Sequence, residues 1–276
     1  MQDLSKPIWI KSADEKPSEK QYSVLLATPV HSDVSASYTT SLLDLQQKMM
    51  IKGHKISFSI MKSSLVTQGR NLCVADFMIN KDKYTHFLFI DSDIEFQADT
   101  IFKMLDADKE LIAAPYPLKV LDWDKIHSRS NEHNLDKEAM SRSGFTWPMK
   151  NEASDEVIVK KGIMEVTHAP TGCMLIKKQV FEKMIAAYPD RKIVQKSYVN
   201  GKYVDKPHLY NLFDTYHEPE TKKYYGEDFG FCKLWTAIGG KCFIYVMDSV
   251  THVGEYKYSG SLLDDLRLVN RKKIDD

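Results

Sequence analysis

Asp91-Ser92-Asp93 places two carboxylates two residues apart at the carboxyl end of an unbroken apolar run, His86-Phe87-Leu88-Phe89-Ile90. Side chains at i and i+2 of an extended segment point to the same side. Asp91 and Asp93 are therefore expected to share a hard divalent cation that also holds a substrate diphosphate through oxygen ligands. The spacing alone is a weak signal, because Asp-x-Asp recurs at Asp106/Asp108 and Asp122/Asp124. Asp106/Asp108 follows a helix-like stretch and reads as a solvated helix end. Asp122/Asp124 lies in a loop-like region with no apolar strand before it. Asp91/Asp93 sits where open α/β sheets place ligands, outside the carboxyl ends of strands. The plain alternative is a strand-ending turn that uses Asp as a turn former.

Two further clusters carry chemistry. Tyr224-Tyr225-Gly226-Glu227-Asp228-Phe229-Gly230 opens a helix-like stretch that runs to Ile238-Gly239-Gly240. Acids in a first turn suit the positive end of a helix, so capping alone would account for Glu227 and Asp228. The chemical reading is that one carboxylate, preferably Asp228, takes a proton from an attacking hydroxyl. Asp248-Ser249-Val250-Thr251-His252-Val253-Gly254 follows the apolar strand Cys242-Phe243-Ile244-Tyr245-Val246. An imidazole at a strand exit could complete the coordination begun by Asp93, although most histidines sit at surfaces or are satisfied in cores.

The elements that must position these residues alternate. Residues 22–27 read as a first strand, ended by Thr28-Pro29-Val30. A helix over 41–52, with Leu42, Leu45, Met49 and Met50 near helical spacing, stops at Gly53. A strand over 55–61, a helix over 72–79, the strand 86–90, a helix over 100–105 and a strand over 111–114 follow. Alternating strands and helices imply βαβ crossovers and a mainly parallel sheet. Residues 119–156 are polar and irregular and read as a variable loop or small insertion over the active site. Two short strands around Lys161-Gly162, a helix over 179–187 and a hairpin over 193–204 turning at Asn200-Gly201 make the second half richer in antiparallel signals. Acceptor recognition is expected there. The domain reading is a charged lead-in over 1–20 and one catalytic domain over 21–276, with a nucleotide-binding half at about 21–118 and an acceptor-side half at about 119–276.

Bulk properties exclude several classes. The 276 residues can bury a large core. Lys+Arg and Asp+Glu both total 38, so formal net charge is zero and no polybasic cluster stands out. Nucleic acid and anionic membrane are not expected partners. No run reaches the roughly twenty apolar residues of a spanning helix, and residues 1–21 lack a signal-peptide core, so a cytoplasmic protein is expected. The four cysteines, Cys73, Cys173, Cys232 and Cys242, lie in apolar contexts without Cys-x-x-Cys and read as buried thiols.

Thr28-Pro29-Val30, Arg70-Asn71, the run ending in Asp91-Ser92-Asp93, Pro170-Thr171-Gly172-Cys173, Gly226-Glu227-Asp228 and His252-Val253-Gly254 occur in an order that resembles a glycosyltransferase of the GT-A fold. It is similar to the nucleotide-sugar-dependent enzymes common in bacteria and in large DNA viruses and phages. The resemblance spans roughly residues 22–260. It implies an α/β fold with helices on both faces of a Rossmann-like sheet and a smaller mixed portion on the acceptor side. It further implies Thr28 and Pro29 at the nucleoside, Arg70 at base or phosphate, Asp91 and Ser92 at ribose or sugar, and Gly172 where backbone approaches sugar or acceptor. Asp93, with Asp91 and His252, would bind Mn²⁺ or Mg²⁺, which would neutralise charge on the leaving diphosphate. Asp228, or its neighbour Glu227, would be the base of an inverting transfer, though retaining enzymes share the metal motif. The acceptor would be a glycan, a lipid-linked molecule or a protein.

Residue by residue, plainer readings stay open. Arg70 could be a surface cation opening a helix, and Thr28-Pro29 only a strand terminator. A sugar-1-phosphate nucleotidyltransferase would use the same sheet and metal, but the segment after the first strand, Thr28-Pro29-Val30-His31-Ser32-Asp33, lacks a Gly-rich phosphate loop. A non-catalytic carbohydrate-binding protein on the same scaffold is the third reading, with Trp123, Trp147, Tyr224 and Tyr225 as aromatics able to stack on sugar.

Overall fold

A computed structural model describes residues 20–150, 158–199 and 201–255. Nearly all of the lead-in, the end of the polar stretch and Asn200 of the hairpin turn lie outside them.

The first half follows the expected alternation, with longer elements. Strand β1 (Ser23–Val30) leads to helix α1 (Ala36–Ile51), β2 (Lys55–Lys62), α2 (Val66–Ile79), β3 (His86–Ile90), the short β4 (Ile94–Glu95), α3 (Ala98–Asp106) and β5 (Leu111–Ala113). Helices α1 and α2 begin five or six residues before their apolar periodicity is legible. Ser35 caps α1, its hydroxyl accepting from the Tyr38 N–H. Thr28 and Pro29 belong to the strand rather than to a loop after it: β1 continues along β2 to Val30, while β3 stays in register with β1 only as far as Ala27↔Phe89. Past that point a proline removes no bond to β3.

The polar stretch is a correction to the loop reading. It holds two helices, α4 (Trp123–His133) and α5 (Lys137–Ser143). Asp122 caps α4 through the Lys125 N–H and Asp136 caps α5 through the Ala139 N–H, at 2.9 and 2.7 Å. Asp122 and Asp124 are thus a helix cap and a first-turn acid. The chain continues through β6 (Val159–Lys160), β7 (Ile163–Val166), β8 (Cys173–Lys177), α6 (Lys178–Ala187), β9 (Lys196–Val199), β10 (Lys202–Asp205), β11 (Tyr216–Glu218), β12 (Lys223–Tyr225), α7 (Glu227–Ala237), β13 (Cys242–Tyr245) and β14 (Thr251–His252).

Eight strands form one central sheet in the order β2-β1-β3-β8-β5-β13-β7-β6. β2, β1, β3, β5, β13 and β6 run in the same direction, so the sheet is mainly parallel, as expected for a mixed α/β protein. β8 lies antiparallel between β3 and β5, a position that sequence order does not announce. Period-2 alternation sends successive side chains to opposite layers. Phe87, Phe89, Met174 and Ile176 pack with α2, α6 and α7. Leu88, Ile90, Leu175 and Ile112 pack with α1 and α3. Each layer draws residues from both halves of the chain. The four cysteines are buried and unpaired. Among the described residues no helix is long and apolar enough to cross a membrane.

Candidate active site

The carboxyl ends of β3 and β5, the amino ends of α2 and α7 and the first residue of β8 meet at one edge of the sheet. The Asp91–Asp93 segment is not extended there. It turns, closed by the Ile94 N–H on the Asp91 carbonyl at 3.1 Å, and its backbone is held on every side. The Asp91 N–H donates to the Gly172 carbonyl, the Ser92 carbonyl accepts from Ser35, and the Asp93 carbonyl accepts from Val253. The premise that an extended backbone turns both carboxylates to one side is therefore corrected: Asp91 and Asp93 go to different partners.

Asp91 goes to Arg70. Both guanidinium Nη atoms donate to the two Asp91 oxygens at 2.9 Å, and Nε donates to Glu227 Oε1 at 3.0 Å. Arg70 is 2% exposed, so it is not a surface cation. It lies over the Phe89 ring, 5.0 Å from the centroid. Burial by itself would lower the Arg70 pKa, but the Asp91 and Glu227 carboxylates outweigh it and raise it, so the guanidinium is permanently charged. One buried cation thus ties the tip of β3 to the start of α7. The next residue, Asn71, does the same for another segment, accepting from the Leu212 and Phe213 N–H groups at 3.0 and 2.9 Å.

Asp228 is the acid that no cation claims. Its Oδ1 accepts from the Phe229 N–H at 2.8 Å. Burial, then repulsion from Glu227, push its pKa up to about 6, against the opposing pull of that hydrogen bond and of Arg70. Glu227 and Asp228 are adjacent in sequence but opposite in state: one is ion-paired, the other is a carboxylate poised near neutral pH.

Asp93 goes to Lys119 Nζ at 2.5 Å and faces His252 Nε2 at 3.4 Å. Burial raises its pKa, but hydrogen bonds and charge from His252 and Lys119 prevail and hold it at about 2. His252 Nδ1 lies 3.0 Å from the Pro117 carbonyl, which can only accept, so Nδ1 carries the proton. Nε2 is then the ring atom that faces the Asp93 carboxylate. A backbone carbonyl that fixes the tautomer of an imidazole is the usual support for a metal-ligating histidine. Two ligands of an octahedral Mg²⁺ or Mn²⁺ stand about 3 Å apart, close to the 3.4 Å found. Asp93 and His252 are the side chains here that could hold such an ion, with Lys119 Nζ on the same carboxylate oxygen. Among the described residues no group of three or more His, Cys, Asp or Glu side chains is placed to hold a metal. β14 is brought to this position by pairing with β4, His252 opposite Ile94, and by Asp248 accepting from Thr100 and Lys103 of α3 at 2.8 and 2.9 Å.

The remaining expected site residues are placed as follows. Thr28 is fully buried, its hydroxyl 2.6 Å from that of Tyr38 on α1, and Pro29 packs near Gly69. Ser92 contributes its carbonyl to the start of α1. At Gly172 an added Cβ would lie 2.6 Å from Tyr116 Cζ and Oη, so what approaches this backbone is the Tyr116 ring. The Gly172 N–H donates to Tyr116 Oη at 3.2 Å, and the same ring stands edge-on to His252, centroids 5.1 Å apart.

Tyr116, Pro117 and Lys119 are site residues that the sequence reading passes over. Their signal was positional: they follow an apolar strand, β5, that leaves the sheet at the same end as β3.

No family model matches the chain, and no curated protein matches it. Solved structures do resemble it at low identity. Protein A197 from STIV shares 14% identity with a TM-score of 0.45, over 84% of this chain and 86% of that one. A glycosyltransferase involved in the glycosylation of the major capsid of PBCV-1 shares 9% identity with a TM-score of 0.31, over 61% of this chain and 66% of that one.

Proposed function

We propose that the chain transfers a glycosyl group from a nucleoside-diphosphate sugar to an acceptor hydroxyl, with Asp228 as the base. The observation that carries this reading is the half-buried Asp228 carboxylate, its pKa raised to about 6, next to Glu227, whose charge Arg70 already holds. A group titrating near neutral pH can accept a proton from an alcohol as its oxygen forms the new bond to the anomeric carbon. Glu227 and Asp91 are not competing bases, because the Arg70 guanidinium already engages both carboxylates. Asp93 and His252 would hold a divalent cation, Mn²⁺ over Mg²⁺ because one donor is an imidazole. That ion would supply Lewis-acid stabilisation of the departing diphosphate. Lys119 adds a second positive charge on the same side.

The test is release of nucleotide from a panel of UDP-, GDP-, CMP- and dTDP-sugars with Mn²⁺ or with EDTA. Release from one donor class that Asp228→Asn lowers at least 100-fold supports the reading; equal turnover in the variant removes Asp228 from it.

A further inference from the structure

A pocket of about 190 Å³ opens between the β11–β12 hairpin, the segment after β7 and helix α7. Its walls include Tyr216, Tyr225, Phe229, His168, Glu218 and Lys233. The four rings lie in nearly parallel planes: 3° between His168 and Tyr225, 18° between His168 and Phe229, 19° between Tyr225 and Phe229, and 22° between Tyr216 and Tyr225. Lys233 Nζ sits over the Tyr216 ring at 3.8 Å and pairs with Glu218 at 3.3 Å. Two of the rings bracket the proposed base in the chain, since Tyr225 precedes α7 and Phe229 follows Asp228.

We infer that this pocket seats one neutral sugar ring belonging to the acceptor. Three features select that chemistry. The volume is below the roughly 300–1,000 Å³ of sites for drug-sized ligands, which suits a single ring and is too small for a nucleotide. Among the wall residues the Glu218 and Lys233 charges cancel, and Lys150 Nζ, over the Tyr225 ring at 5.1 Å, is taken up by that ring face, which disfavours a phosphate or carboxylate ligand. Co-oriented aromatic rings offer an electron-rich surface to the C–H face of a pyranose, while Glu218 and Lys233 offer an acceptor and a donor to its hydroxyls.

As the seat of an acceptor the inference rests on the transferase reading; as a sugar-binding pocket it stands alone. Saturation-transfer NMR with a panel of neutral methyl glycosides, free of nucleotide, tests it. Wild-type protein should saturate the ring protons of at least one glycoside. Tyr225→Ala and the milder Glu218→Gln, each checked for an unchanged melting temperature, should weaken that binding at least tenfold. No saturation from any glycoside, or variants that bind like wild type, would overturn the inference even if a donor is turned over. Binding that meets these criteria in a protein that releases no nucleotide would keep the pocket and discard the transferase reading.

Discussion

Asp228, Arg70 and Asp93 show how one edge of a sheet gives three acids or bases three different states. For Asp228 the sign of the pH effect follows from its raised pKa. Between the ordinary aspartate value and about 6 the folded state binds more protons than the unfolded chain, so stability falls as pH rises through that window. Asp228→Asn is therefore expected to be more stable than wild type above pH 6, by about 1–3 kcal/mol, with the gain vanishing near pH 4. Urea titrations at several pH values read this directly, and a variant less stable at pH 7.5 would contradict the burial argument. Arg70 has the opposite standing. Removing it strands two carboxylates, so Arg70→Met should cost about 3–5 kcal/mol, and Arg70→Lys should restore only part, because an ammonium cannot serve Asp91 with two parallel bonds and Glu227 with a third. At Asp93 the Lys119 ammonium occupies the carboxylate that a metal would need. Lys119→Ala should tighten Mn²⁺ binding at least threefold by calorimetry; weaker binding would mean that Lys119 orients Asp93 for the ion instead of competing with it.

At the scale of elements, what was legible was whatever the hydrophobic pattern encodes. β3 reads as a strand because five apolar or buried residues in a row fill both layers, and α3 reads as a helix because its apolar residues fall on one side. Boundaries were hidden where caps and tertiary contacts decide them, as at Ser35 and at Gly69-Arg70. Helices α4 and α5 were illegible to periodicity because α4 buries only Ile126 and α5 only Ser143. The capping aspartates Asp122 and Asp136 were the readable signal, but Asp122 also falls in an Asp-x-Asp pair, which masks its capping role. The resemblance put sugar or acceptor against the Gly172 backbone, whereas the Tyr116 ring lies there. Gly172→Ala should push Tyr116 off β8, costing about 1–3 kcal/mol as overpacking and loosening His252 through the shared ring contact. A urea midpoint equal to wild type would show that Tyr116 can shift without cost.

For the whole molecule, the insertion of β8 between β3 and β5 organises the site. It puts Gly172 beside Asp91, holds Asp91 by a backbone bond and leaves β5 to deliver Tyr116 and Pro117 toward His252. Long-range pairing of this kind has no local signature, which is why residues 70, 91, 227, 228 and 252 could be nominated from the sequence while the pairing of Asp91 and Glu227 with Arg70, and of His252 with Pro117, could not. The division of labour between Glu227 and Asp228, one acid paired with Arg70 and its neighbour poised, is likewise a product of assembly. The measurement closest to the central claim is nucleotide release from the donor panel across pH 5 to 8, with Mn²⁺ and with EDTA, for wild type and Asp228→Asn. The expected result is metal-dependent release from one donor that falls as pH drops through about 6 and is at least 100-fold lower in the variant; a donor consumed equally by both proteins, or no donor consumed at any pH, would contradict glycosyl transfer by this carboxylate.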